Sequence, residues 1–331
     1  MSTKLSSTLN LQHGLTDGTP LPISAIREGF GKGMLEAGKH DPRVVGLSAD
    51  LTESTQMHLF AKEFPDRFVQ VGVAEQNLAT VASGLAAAGK IPFASSFAAF
   101  SPGRNWEQIR TTICYNNQPV KMVGSHSGLS AGPDGATHQI LEDVALMRVL
   151  PNMVVVVPAD AEQTRTATLA LAQDPRPAYL RLVREKTPVF TTPETPFEIG
   201  KAQVISEGSD VTIVVAGPFI VEALKAAAQL GNLASLEIIN MHTISPFDHT
   251  TLIASAQKTG RVITIEDHQI IGGLAGAVCE SLAEHCPTPV MRLGLKNTFG
   301  ESGQVPELWK KHNLSAEGIV AAVQAFLKRT A

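Results

Sequence analysis

The stretch FVQVGVAEQNLATVASGLAAAGKIPFASSF, residues 68–97, sets two strand patterns on either side of one helix pattern. Phe68 to Val71 is a short β-rich run that stops at Gly72. Ala74 to Ala88 carries small and apolar residues on most of its faces, which predicts a deeply packed helix. Ile91 to Phe97 returns to the strand pattern. Strand, helix and strand in so short a unit favour parallel pairing, with the helix laid over the sheet.

The alternation continues outward. Arg43 to Leu47 predicts a strand ending at Ser48-Ala49-Asp50. Downstream come a helix at Trp106 to Cys114, a strand at Val120 to Ser125 and a glycine-rich loop from Gly128 to Gly135. Helix Gln139 to Val149, strand Met153 to Val157, helix Ala161 to Gln173 and strand Ala178 to Val183 follow. Thr187 to Pro196 then breaks the pattern with Pro188, Pro193 and Pro196, the composition of a semi-rigid spacer. Beyond it a second set begins. Strands are expected at Val211 to Ala216, Leu236 to Asn240, Val262 to Ile265 and Val290 to Leu293. Helices are expected at Phe219 to Gln229, Thr250 to Lys258, Gly273 to His285 and Ala316 to Lys328, the last capped by Ser315. The expectation is an α/β protein of two doubly wound domains. A mobile arm at 1–21 precedes a parallel-sheet domain at 22–187; a linker at 188–200 leads to a smaller α/β domain at 201–331.

Size agrees, since 331 residues correspond to about two domains. With 44% hydrophobic and 18% charged residues the composition is that of an ordinary globular protein. A net charge of −4 and scattered Lys and Arg argue against nucleic acid. No apolar run reaches the roughly 18 residues of a membrane span, and Met1 to Pro22 lacks a secretory h-region. Cys114, Cys279 and Cys286 form no CxxC pair, so they read as reduced thiols of a cytoplasmic protein rather than a zinc site.

Ligands of open parallel sheets sit beyond the carboxyl ends of strands. That rule selects residues 48–53, 72–76, 97–104 and 125–138, all in the first domain. Glu75 stands at a strand-to-helix junction. Buried there, a carboxyl would keep its proton to higher pH and could relay it; alternatively it only complements the helix dipole. Phe97 and Phe100 follow a strand in a chain with 5% aromatics. They could stack on a flat heterocycle, or simply pack in the core. His126, Asp134 and His138 bracket the glycine-rich loop, where two histidines could move protons at a hydroxyl or carbonyl. Metal binding is the rival reading, but the neighbouring positions supply no third ligand or spacing signature. Arg181 and Arg184 suit phosphate oxygens, though each alone is more often a solvated surface charge.

Taken in order, Ser-Ala-Asp-Leu-Thr at 48–52, Val-Ala-Glu-Gln at 73–76, Ser-Phe-Ala-Ala-Phe at 96–100 and Asp-Gly-Ala-Thr-His-Gln at 134–139 resemble the pyrimidine-binding domain of transketolases. Ile-Glu-Asp-His at 265–268, Ile-Gly-Gly-Leu at 271–274 and Phe-Gly-Glu-Ser-Gly at 299–303 resemble their C-terminal domain. The resemblance spans residues 22 to 329. It implies transfer of a two-carbon ketol unit between sugar phosphates on thiamine diphosphate, with the protein supplying orientation and proton traffic. Glu75 matches the glutamate that hydrogen-bonds the aminopyrimidine, and Phe100 the aromatic that stacks on it, with Phe97 alongside. Asp50 matches an aspartate near the cofactor at the subunit interface. His126, Asp134 and His138 match donor-substrate residues, His126 and His138 with catalytic proton traffic. Arg27, Ser54 and Arg184 match the positions that hold the substrate phosphate. Arg104 matches nothing and is left without a role.

Two motifs depart from the family. Ser125-His126-Ser127 stands for the frequent Thr-His-Asp, and Gly132-Pro133-Asp134-Gly135 for Gly-Glu-Asp-Gly, which puts the identity of the sugar in doubt. The chain also lacks the Gly-Asp-Gly with which full-length members bind metal and diphosphate. The resemblance therefore implies a partner, an N-terminal transketolase subunit. That subunit would hold Mg2+ (or Ca2+) and the diphosphate in a heterotetramer of two plus two, with no metal site on this chain. The beta chain of a 2-oxo-acid dehydrogenase decarboxylase shares the two domains, and His126 and Arg184 speak against it. A 1-deoxyxylulose-5-phosphate synthase shares Asp-Gly-Xaa-Thr-His-Gln but lacks a histidine at position 126. A regulatory or structural half-protein would be expected to have lost Glu75.

Overall fold

The computed structural model describes residues 4–329 and folds them around two large sheets. The first has seven strands, in the spatial order Thr243–Ser245, Val154–Val156, Ala178–Arg181, Lys121–Ser125, Ile91–Phe97, Val44–Ser48 and Phe68–Gln70. All but the first pair in parallel, with Gly46 opposite both Phe68 and Phe93, and Phe97 opposite Ser125. Val44–Ser48 and Lys121–Ser125 are buried along their whole length, as strands covered on both faces must be. Parallel pairing puts the carboxyl ends of Val44–Ser48, Phe68–Gln70, Ile91–Phe97 and Lys121–Ser125 on one edge, so their loops emerge side by side.

The second sheet runs Lys4–Leu5, Gln203–Glu207, Leu236–Asn240, Val211–Val215, Val262–Gln269 and Val290–Leu295. Its first two pairings are antiparallel and the rest parallel. The domains are not separate bodies on a hinge. Thr243–Ser245 leaves the second domain to pair with Val154–Val156 at the edge of the first sheet. One apolar core joins Val155 and Met147 of the first domain to Val214, Ile239, Met241 and Ile244 of the second.

The arm does not hang free from residue 4 onward. Lys4–Leu5 adds a strand to the second sheet, and Leu9, Leu11, Leu15 and Leu21 pack on that domain's core. The first three residues of the arm, and Thr330 and Ala331 at the other end, lie outside the described residues. The linker is pinned by the buried Asp160, whose carboxylate accepts the amides of Phe190 and Thr191 at 2.8 Å and the Thr191 hydroxyl at 2.7 Å. The same carboxylate caps the helix Ala161–Gln173 by accepting the Gln163 amide.

Ile26–His40 is a helix that the sequence pattern does not announce, because it contains Gly29, Gly31, Gly33 and Gly38. Close approach explains them. A Cβ on Gly29 would stand 1.8 Å from the carbonyl oxygen of Ala161, so the helix lies almost backbone to backbone on Ala161–Gln173. Two expected helices are shorter or altered. Trp106–Gln108 is α-helical, but Ile109–Cys114 continues as a π-helix. The helix expected from Gln139 begins only at Asp143, because the Gln139 side chain donates to the carbonyls of Gly132 and Glu301 and the Ile140 carbonyl accepts the Gly128 amide. No helix among the described residues is long and apolar enough to cross a membrane.

Candidate active site

The site begins where the strand Ile91–Phe97 ends. The Ala98 amide donates to the Ser125 carbonyl at 2.7 Å, which ties the Phe97 loop to the loop that carries His126. His126 is held at φ 57°, in the left-handed region that costs a non-glycine residue on the order of 1 kcal/mol. Its ring then lies flat on Phe97, with centroids 3.8 Å apart and planes 24° from parallel. Phe100 stacks beside Phe97 at 5.9 Å. His138 meets both rings edge-on, at 5.3 Å from Phe100 and 6.5 Å from Phe97. The aromatic and histidine residues singled out in the sequence thus form one cluster.

His126 is buried, and its pKa falls to about 3. Burial is the largest cause, followed by the nearby charges of Arg27, Arg184 and His138. It is neutral at pH 7. Its Nδ1 lies 2.9 Å from the Ser125 hydroxyl, while Nε2 faces Arg27 Nη1 at 3.5 Å. A guanidinium can only donate, so the lone pair belongs at Nε2 and the proton at Nδ1.

Arg27 sits in the first turn of Ile26–His40 and donates to the Ser54 carbonyl at 2.9 Å. Its Nε is buried with no hydrogen-bond partner. Burial and the charge of Arg184 both lower the pKa of Arg27. Arg184 donates to the Ala131 carbonyl at 3.0 Å and lies 3.7 Å from the Asp134 carboxylate. Two guanidiniums that repel each other beside a neutral histidine form a place for an anion. Ser54 contributes its carbonyl to the Arg27 contact. Asp50 stands apart on the exposed rim, at φ 63°, with its amide on Gln70 Oε1.

Glu75 opens the helix Glu75–Ala87 and is 5% exposed. Arg104, which the sequence left without a role, donates to Glu75 Oε1 at 3.1 Å and lies 4.2 Å from the centre of the Phe100 ring. Asn105 donates to the Glu75 carbonyl at 2.8 Å. Arg181 is no surface charge. It is 3% exposed, paired with Asp143 at 2.8 Å, and donates to the backbone carbonyl of Asp267 at 2.7 Å. Only Arg184 of the two reaches the site.

The second domain braces the site from beneath. The Asp267 carboxylate accepts the Leu129 amide at 3.0 Å and Trp309 Nε1 at 3.2 Å. Gly128, at φ 68°, leaves room for it: a Cβ there would stand 2.3 Å from Asp267 Oδ2. Glu266 accepts the amides of Leu274 and Ala275. The Glu-Asp and Gly-Gly motifs therefore lock the loop 128–135 and start the helix Leu274–His285. Among the described residues no group of three or more His, Cys, Asp or Glu side chains is disposed to hold a metal ion.

Known proteins share both halves. Residues 24–189 match the family model of the transketolase pyrimidine binding domain, and residues 200–319 that of the transketolase C-terminal domain. The chain is 41% identical over 305 residues to 6-deoxy-6-sulfo-D-fructose transketolase subunit SqwH of Clostridium sp. (strain MSTE9), covering 92% of this chain and 95% of that one. It is 34% identical over 307 residues to one of the subunits of the apulose-4-phosphate transketolase of Phocaeicola vulgatus, covering 92% and 98%. A solved split gene transketolase, described as an inactive beta4 tetramer, superposes with a TM-score of 0.85 at 47% identity, covering 91% of this chain and 97% of that one. The chain belongs to the transketolase family, as a member built of the pyrimidine-binding and C-terminal domains.

Proposed function

We propose that this chain is the C-terminal subunit of a split, thiamine-diphosphate-dependent transketolase, moving a two-carbon ketol unit from a ketose phosphate to an aldose phosphate. The observation that carries the reading is the position of His126. It joins the aromatic cluster of Phe97, Phe100 and His138 to the two guanidiniums of Arg27 and Arg184.

The residues present fit the pyrimidine end of the cofactor. Glu75 offers a nearly buried carboxyl group that can share one proton with a ring nitrogen, and Phe100 offers a flat face beside it. Phe97 extends that face, and Asp50 stands on the rim. When bound, thiamine diphosphate supplies the carbon that takes up the ketol unit. Mg2+ (or Ca2+) and the diphosphate fall to an N-terminal partner, in an assembly of two plus two. The relatives named as subunits of transketolases support a partner of this kind.

The chain's own residues orient and move protons. Arg27 and Arg184 grip the far anionic group of the sugar, with the buried Arg27 Nε as a free donor. Asp134 and His138 reach the hydroxyls. His126 begins neutral and accepts a hydrogen bond. A bound dianion would offset the charges of Arg27 and Arg184 that depress its basicity, so substrate binding makes it a better base. The same guanidinium pair suits a phosphate or a sulfonate, and the sugar named for each relative differs. The three cysteines are free thiols, which suits a cytoplasmic enzyme.

The test is ketol transfer from xylulose 5-phosphate to ribose 5-phosphate, by the chain alone and with an N-terminal subunit, thiamine diphosphate and Mg2+. Activity in the mixture alone, abolished by Glu75→Gln with the fold intact, supports the proposal. Activity in the isolated chain refutes the need for a partner. Cofactor binding without turnover of these sugars moves the substrate to other ketoses or sulfo-sugars.

A further inference from the structure

Arg104 makes two contacts at once. Its Nη1 donates to Glu75 Oε1 at 3.1 Å, and its guanidinium carbon lies 4.2 Å from the centre of the Phe100 ring. These are the carboxylate and the aromatic face assigned above to the aminopyrimidine. A guanidinium and an aminopyrimidine share the relevant chemistry. Both are flat and stack on an aromatic ring, and a guanidinium N–H donates in its plane to a carboxylate as the ring nitrogen of an aminopyrimidine does once that nitrogen has taken up a proton. One carboxylate oxygen and one ring face cannot serve both fully.

We propose that Arg104 is a built-in surrogate for the aminopyrimidine, holding Glu75 and Phe100 until the cofactor displaces it. The inference rests on the thiamine reading of the site. The side chain is suited to leave: it is 52% exposed while Glu75 is 5% exposed, so the guanidinium can swing to solvent as the carboxylate stays in place. The anchor does not move with it. Asn105, the next residue, is buried and donates to both the Glu75 carbonyl and the Ser101 hydroxyl. The backbone is therefore fixed, and only the arginine side chain has to change rotamer. The surrogate has two uses. It keeps a nearly buried carboxylate paired when no ring is bound, and it makes cofactor entry a competition rather than a simple filling.

The experiment is an equilibrium titration of thiamine diphosphate, with Mg2+ present, into the assembled complex of this chain and an N-terminal subunit. The readout is the dissociation constant. Wild type is compared with Arg104→Ala and Arg104→Lys. Removing the competitor tightens binding by up to about fivefold in Arg104→Ala, the factor expected for a half-exposed ion pair. Arg104→Lys keeps the charge but cannot lie flat on Phe100, so it falls between the two and separates stacking from long-range attraction to the diphosphate. Binding by Arg104→Ala that is equal to or weaker than wild type overturns the proposal and makes Arg104 neutral or a cofactor ligand. A wild-type complex that binds no thiamine diphosphate overturns the thiamine reading and this inference with it. Normal wild-type binding with an unimproved alanine variant removes this inference alone.

Discussion

The imidazole of His126 rests on the ring of Phe97, 3.8 Å between centroids, while its Nε2 faces Arg27. The stack and the left-handed backbone together fix where Nε2 points. Asparagine tolerates the left-handed region better than most residues, so His126→Asn keeps the loop while removing the basic nitrogen. The expected result is a loss of roughly 100-fold or more in ketol transfer, with the thiamine diphosphate dissociation constant changed less than about threefold. Equal loss of both would make His126 a structural residue.

Buried neutral histidines also give the fold a pH dependence. Burial holds His126 at about 3 and His242 at about 4, both below the ordinary 6.5. Between those values and 6.5 the unfolded chain takes up protons that the native chain refuses. Their contribution to stability is therefore complete above 6.5 and is lost as pH falls through the window, at up to about 1.4 kcal/mol per pH unit for each histidine. Asp160, Glu266 and Asp267, whose pKa values burial raises, act in the opposite sense. The histidine contribution is accordingly read as a difference. Urea unfolding at pH 7, 6 and 5 should show a steeper acid loss in wild type than in His242→Gln; parallel lines would contradict it.

Asp160 anchors three linker donors and caps a helix with one carboxylate. An amide in its place has a single acceptor oxygen and brings two donors that face other donors. Asp160→Asn should cost about 2–4 kcal/mol, measured as a lower urea midpoint for the chain alone. Because Phe190 and Thr191 lie where the domains join, the variant should also be cut more readily by protease near residues 190–196. An unchanged midpoint would mean that the linker holds its place without this carboxylate.

What the sequence could show followed from local periodicity. Ile91–Phe97 and Ala161–Gln173 appear with the bounds their patterns announce, because apolar alternation and capping are local. Ile26–His40 was not legible, since its four glycines argue against a helix unless the close approach of Ala161 is known. The crossing of Thr243–Ser245 into the first sheet was hidden for the same reason: strand partners are chosen by tertiary packing. At the site, the clustering of Phe97, Phe100, His126 and His138 followed from the rule about strand ends. The diversion of Arg181 into an ion pair with Asp143 did not, because one arginine three residues from another carries no sign of which will be buried.

Arg27 and Arg184 offer the sharpest division between binding and chemistry. Arg27 spends one donor on the Ser54 carbonyl, points another at His126, and keeps a buried Nε free. An anionic oxygen satisfies that donor and relieves the repulsion from Arg184. Arg27→Gln loses the charge and the fork but keeps a donor for Ser54. The KM for a sugar phosphate should rise about 10- to 100-fold, as for a lost hydrogen bond to a charged group, with kcat reduced much less. The unphosphorylated sugar has nothing to place between the two guanidiniums, so its kcat/KM should be nearly unaffected by the change. A loss of the same size with both sugars would show that Arg27 acts through the position of His126 rather than on the anion.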